Sequence, residues 1–185
     1  MSAATGQELN AGTESVAGAL LSTLESEAET LGRLGHTFEL QLEALRNRQQ
    51  DLLEQSTLQA NDEVANLARL RQMRERQMRL LGRTLDLNAD AATLSDMLDR
   101  MATDPRSDAL VDRLRTVRGV VHARARETQD HCVALEGALQ FAVQVGREMM
   151  HALQGLDQPV PAPIYTAQGG ARQASAPRSL LNHVG

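Results

Sequence analysis

Five histidines, one cysteine and twenty-four carboxylates are the residues on which metal, acid–base or nucleophilic chemistry could rest. Their spacing assembles no such site. His131 and Cys132 are adjacent, about 100° apart on a helix, and His122 lies nine residues before His131. No histidine pair therefore has the i, i+4 spacing of helical metal ligands. HExxH, CxxC and GxSxG motifs are absent, and Gly169-Gly170 follows no strand that would make it a phosphate cradle. The pairs Glu25/Glu29 and Glu39/Glu43 share a helix face, but nothing places them in a cleft that would raise one pKa, so they read as solvating charge. Cys132 beside an apolar stripe reads as a structural thiol, and a lone cysteine forms no intrachain disulfide. The sequence predicts no enzyme, no metal and no cofactor.

All nineteen basic residues are arginine. Without lysine there is neither a Schiff base nor a P-loop lysine. Six arginines, at 69, 71, 74, 76, 79 and 83, fall on what reads as the solvent face of one helix. Interleaved Glu75, the lack of stacking aromatics and a net charge of -5 argue against nucleic acid. Arg69, Arg76 and Arg83 are instead positions on a solvated face that could dock an acidic protein partner.

The elements that must carry these residues are helices. In 185 residues the only aromatics are Phe38, Phe141 and Tyr165, so the core is built from Leu, Val, Met and Ala, which favours helix packing over a sheet sandwich. No proline precedes Pro105. From about Ser15 to Ser56, apolar positions including Leu21, Leu24, Leu31, Phe38, Leu42, Leu45 and Leu52 repeat at spacings of three and four, a stripe interrupted by Gly35 and Gln49. A helix of about forty residues runs roughly 60 Å and must lie along a partner helix. Gly35 and Gln49 offer a close approach or an interhelical hydrogen bond.

Asn61 and Asp62 predict a break and cap, with a second helix to about Leu85 carrying Val64, Leu67, Leu70, Met73, Met78 and Leu81. The acidic first segment and the Arg-rich second one complement each other as an antiparallel hairpin. A short third helix, about Asp90 to Met101, stops before Pro105. Ser107 or Asp108 caps a fourth that runs to about Gln154, with Gly119, Gly137 and Gly146 as points of bending. The fold class expected is all-α, an elongated antiparallel helical bundle with long coiled-coil-like helices, over residues 15–155.

Residues 1–14 are expected to be a flexible leader, and residues 156–185, with four prolines, a Pro/Gly-rich flexible tail that Leu180, Leu181 and Val184 dock weakly if at all. The opening MSAATGQELN has no basic n-region and no apolar h-region, and the ten uncharged residues Gly137–Gly146 are about half what a bilayer requires. A cytoplasmic protein without stable membrane insertion is the expectation.

What remains is recognition by helix surfaces. Methionine is unbranched and adaptable, so Met97, Leu98 and Met101 on the short helix, and Met149 and Met150 near the end of the last one, are candidates for contact with amphipathic partner helices, with ordinary core packing as the alternative for each.

The segments ALLSTLESEAETL, LEALRNRQQDLLEQS and LARLRQMRERQMRLLG, the long helix over 101–154 and the box Ile164-Tyr165-Thr166-Ala167-Gln168-Gly169 resemble the FlgN family of flagellar export chaperones. The resemblance spans about residues 18–170; where many members carry asparagines at the centre of the last helix, this chain reads RETQDHCVALEG. It implies a cytoplasmic type III export chaperone that binds hook-associated (hook–filament junction) proteins through their terminal amphipathic helices, prevents their premature assembly and passes them to the flagellar export apparatus. It also places client binding on the C-terminal part of the chain, at Met149, Met150, Leu153, Ile164 and Tyr165, the tyrosine serving as an aromatic anchor. The alternative is a structural or scaffolding coiled-coil homodimer without export clients.

Overall fold

The structure is a computed structural model and describes residues 11–88, 91–156, 164–165 and 171–172. It is all-α in class. Among the described residues four α-helices, α1 (Ala11–Asn47), α2 (Gln50–Thr84), α3 (Leu94–Met101) and α4 (Asp108–Leu156), are followed by two two-residue strands, β1 (Ile164–Tyr165) and β2 (Ala171–Arg172). The strands pair antiparallel, Ile164 opposite Arg172 and Tyr165 opposite Ala171. The chain divides into two compact units, 1–138 and 139–185. Most of the expected leader and tail, with Leu180, Leu181 and Val184, lies outside the described residues. Helix α1 starts at Ala11, however, and Thr13 is already buried.

Two breaks fall where no glycine marks them. The first helix does not run to Ser56; it ends at Asn47, and Asn61 and Asp62 lie inside α2. Arg48 adopts a left-handed backbone, φ 57°. Its N–H lies 3.4 Å from the Leu45 carbonyl oxygen, while the Gln49 N–H donates to the carbonyl of Ala44 at 2.9 Å. This is the paired closure of a Schellman turn, which consumes two orphan carbonyls of the helix end. The same device ends α2, with Asp86 at φ 56° and Leu87 N–H donating to the carbonyl of Gly82 at 2.9 Å. Glycine is the usual residue at such a position, so Arg48 left no sequence signal for the first break, whereas α2 ends where its apolar spacing predicts, at about Leu85. Gln49, expected within the stripe of the first helix, is the exposed residue before α2 and makes no side-chain cap bond.

Helices α1 and α2 form the expected antiparallel hairpin. Cross-helix bonds run in opposite order along the two: Gln41 to Thr57 (3.2 Å), Arg33 to Glu63 (2.7 and 3.1 Å), Asn66 to Thr30 (3.1 Å), and Arg74 to Glu27 (2.6 and 2.7 Å). The face α1 buries is more polar than its leucine stripe suggests. Thr23, Thr30 and Thr37 are buried seven residues apart, and each hydroxyl donates to the carbonyl four residues earlier at 2.9–3.0 Å. That satisfies the hydroxyl inside the helix and lets it occupy a core position.

Helix α3 begins four residues later than the periodicity suggests, because Thr93 and Asp96 make a capping box: the Asp96 N–H donates to Thr93 Oγ1 at 3.3 Å and the Thr93 N–H to Asp96 Oδ2 at 2.8 Å. Its end is closed by Ser107, whose buried hydroxyl reaches the Met101 carbonyl at 2.6 Å and the Asp104 carbonyl at 2.8 Å. Pro105 opens a single 3₁₀ turn that leads into α4. The part of α4 within the first unit runs parallel to α1, as Arg113–Glu25 (3.1 Å), Thr128 to the Leu31 carbonyl (3.0 Å) and His131–Glu39 (3.5 Å) ascend together. On its other side Arg118 donates to Ser95 of α3 at 2.7 Å. The core gathers Leu20, Leu81, Met97, Leu98, Met101, Val111 and Leu114. Among the described residues no helix is long and apolar enough to cross a membrane.

Candidate helix-docking surface

Residues 139–154 of α4 combine a helical backbone with an apolar sequence and almost no burial. Of these sixteen only Val145 is less than exposed. Leu139, Phe141, Val143, Met149, Met150 and Leu153 are exposed by 41, 69, 55, 62, 58 and 57%. At 100° per residue these six, with Ala142, Val145, Gly146 and Ala152, sweep an unbroken apolar arc of about 200°. Gln140, Gln144, Arg147, Glu148, His151 and Gln154 share the remaining sector, where Gln144 Nε2 donates to Glu148 Oε1 at 3.0 Å.

The first part of α4 shows what such an arc is for. There the buried side chains Val111, Leu114, Val121, Thr128 and Leu135 occupy about 120°, and α1 and α3 lie against that part of the helix. Residues 139–154 therefore carry more apolar face than that stretch buries, and carry it in the open. A contiguous apolar face of this width is what an interaction site exposes. Gly137 and Gly146 do not relieve a close contact, since a Cβ at either would meet nothing within 4 Å.

Met149, Met150 and Leu153 thus lie together on one exposed face. Ile164 and Tyr165 form β1, and their side chains lie outside the description. Met97, Leu98 and Met101 are fully buried at 0, 1 and 0% exposure: they take the core alternative, in one cluster with Leu20, Leu81, Val111 and Leu114, and they offer a partner no surface. Phe141 and Val143 lie off the apolar spacing of this helix, and Leu139, which lies on it, is not among the sequence's contact candidates; the signal for all three is the clean separation of polar and apolar residues around the helix over 139–154.

The arginine run splits by direction. Arg74 and Arg71 face α1, at 2.6 and 3.9 Å from the buried carboxylate of Glu27, and Arg79 lies 3.8 Å from Glu75. Arg69, Arg76 and Arg83 are exposed, Arg69 donating to Asn66 Oδ1 at 2.9 Å.

Cys132 is exposed rather than enclosed in the core. Between α1 and α4, Glu39 sits 3.4 Å from His36 Nδ1 and 3.5 Å from His131 Nδ1, a pairing of distant histidines that sequence spacing did not reveal. Among the described residues, no group of three or more His, Cys, Asp or Glu side chains is arranged to hold a metal ion. No protein-family model, no curated protein and no solved structure matches the chain.

Proposed function

We propose that this chain is a cytoplasmic export chaperone of the FlgN type, which holds the terminal amphipathic helices of hook–filament junction proteins on the end of α4 and keeps them from assembling before export. The observation that carries the reading is the exposed arc over residues 139–154. A client helix with an apolar stripe gains by covering it, at roughly 25 cal/mol for each Å² of apolar surface removed from water. Met149 and Met150, 62 and 58% exposed, let the face repack around clients of different sequence. Release needs only competition for the same face at the export apparatus, without covalent chemistry.

The sequence resemblance supplies the client class, and the face supplies the means. Placing a photo-crosslinking residue at position 149 or 153 of the full chain, mixed with the purified junction protein, is expected to give an adduct on the client's terminal helix. The same residue at Arg126, on the exposed side of the first part of α4, is expected to give none. Equal crosslinking at all three positions would contradict the reading.

A further inference from the structure

A second exposed stripe lies on α2, in the first unit. Arg69, Met73, Arg76, Leu80 and Arg83 follow one another at spacings of four, three, four and three, which places them within about 80° on one side of the helix. All five are exposed, Met73 by 42% and Leu80 by 48%. Neither Arg76 nor Arg83 has an acidic partner among the described residues, whereas the arginines that face α1 or their own helix, Arg71, Arg74 and Arg79, do. The one acid within residues 69–83, Glu75, is directed to Arg79. The stripe is therefore a local excess of positive charge, interleaved with two apolar side chains, on a chain of net charge -5.

We propose that this stripe is a second docking site, for an acidic amphipathic helix of a partner protein. The 4-3-4-3 spacing is that of a coiled-coil seam in which the apolar residue alternates with arginine. A partner helix lying along it would set leucine-like side chains against Met73 and Leu80 and carboxylates against Arg69, Arg76 and Arg83, each pair charge-assisted and often bidentate. Two apolar side chains and no aromatic make a poor membrane anchor, and no aromatic lies on the stripe for a base to stack on. The net negative charge elsewhere on the chain repels an acidic partner from other faces, so register and location are both selected by charge. This site does not depend on the client reading.

The test uses the full chain and a synthetic 21-residue helix with leucine at each a position and glutamate at d, e and g, labelled for fluorescence anisotropy. Controls are the same helix with lysine replacing glutamate, vesicles containing about one-third phosphatidylserine, and a single-stranded oligonucleotide. The acidic helix is expected to bind, with affinity falling about tenfold or more between low and high salt. Arg76→Glu is expected to weaken it about tenfold or more, and Met73→Ser to weaken it at both salt concentrations. Arg126→Glu makes the same charge change on α4 and is expected to leave binding within about twofold. All three positions are exposed, so circular dichroism and melting should report unchanged folding. Binding indifferent to Arg76→Glu, equal binding of the lysine helix, or tighter binding of vesicles or oligonucleotide than of the acidic helix would each overturn the proposal.

Discussion

Thr128 of α4 donates its hydroxyl to the Leu31 carbonyl of α1 at 3.0 Å, and Gly35 lies against it: a Cβ at position 35 would stand 3.4 Å from Thr128 Oγ1. The hydroxyl also reaches its own Arg124 carbonyl at 2.8 Å, so the contact joins two helix backbones through one side chain. It locks α4 onto α1 in the first unit. Replacing Thr128 with valine is expected to cost about 1 kcal/mol in urea unfolding. Gly35→Ala fits within ordinary contact and gains helix propensity, so it should change stability by less than about 1 kcal/mol. Gly35→Leu has no room and should cost roughly 2 kcal/mol.

Glu27 is the buried charge of the hairpin, its side chain 3% exposed and both oxygens held by one Arg74 nitrogen at 2.6 and 2.7 Å. Removing one partner strands the other. Glu27→Ala and Arg74→Ala are each expected to destabilise by about 2–3 kcal/mol, less than a fully enclosed pair because Arg74 keeps contact with water. Arg71, 3.9 Å away and 57% exposed, should cost about 0.5 kcal/mol or less when truncated to alanine. Chemical denaturation of the three variants checks the order.

Arg48 holds a left-handed conformation at φ 57°, which carries a steric cost for any residue with a Cβ. Arg48→Gly is expected to raise the unfolding free energy by about 0.5–1 kcal/mol, and Arg48→Val to lower it by more than that. Thermal melts of both variants decide the sign.

Asp96 carries the pH dependence of α3. The Thr93 hydroxyl, and after it the Thr93 backbone N–H, hold its carboxyl below the usual aspartate range. A folded value lowered in this way gives stability that is present above the unfolded value and lost as pH falls through the folded one. The protection of the α3 amides, their exchange rate measured against the intrinsic rate at each pH, should therefore fall as pH drops below about 4. Asp96→Asn should flatten that dependence, and Thr93→Ala should cost about 1 kcal/mol through the lost cap.

The helical class, the antiparallel α1–α2 pair and the acid–arginine complementarity between them were legible because they follow from spacing and charge. The hairpin turn was not, since its marker is a backbone angle that Arg48 adopts against its preference. Nor was the polar part of the α1 core, because a threonine that bonds its own helix looks, in sequence, like a surface residue. The exposed apolar face on α4 was half legible: Met149, Met150 and Leu153 follow from type and position. The exposure of Leu139, Phe141 and Val143 does not follow from residue type and is read only from the folded helix. Met97, Leu98 and Met101 have the same composition as the exposed methionines and the opposite burial, which only the packing of α3 decides.

The most direct test of the account is light scattering with titration calorimetry on the full chain and a purified hook–filament junction protein, repeated with Met149→Gln/Leu153→Gln. The account predicts a defined complex of micromolar or tighter affinity that the double substitution weakens by about tenfold or more, with helicity unchanged. A chain that forms a tight homodimer through the α4 face and binds no junction protein would contradict it, and would make the scaffold the better description.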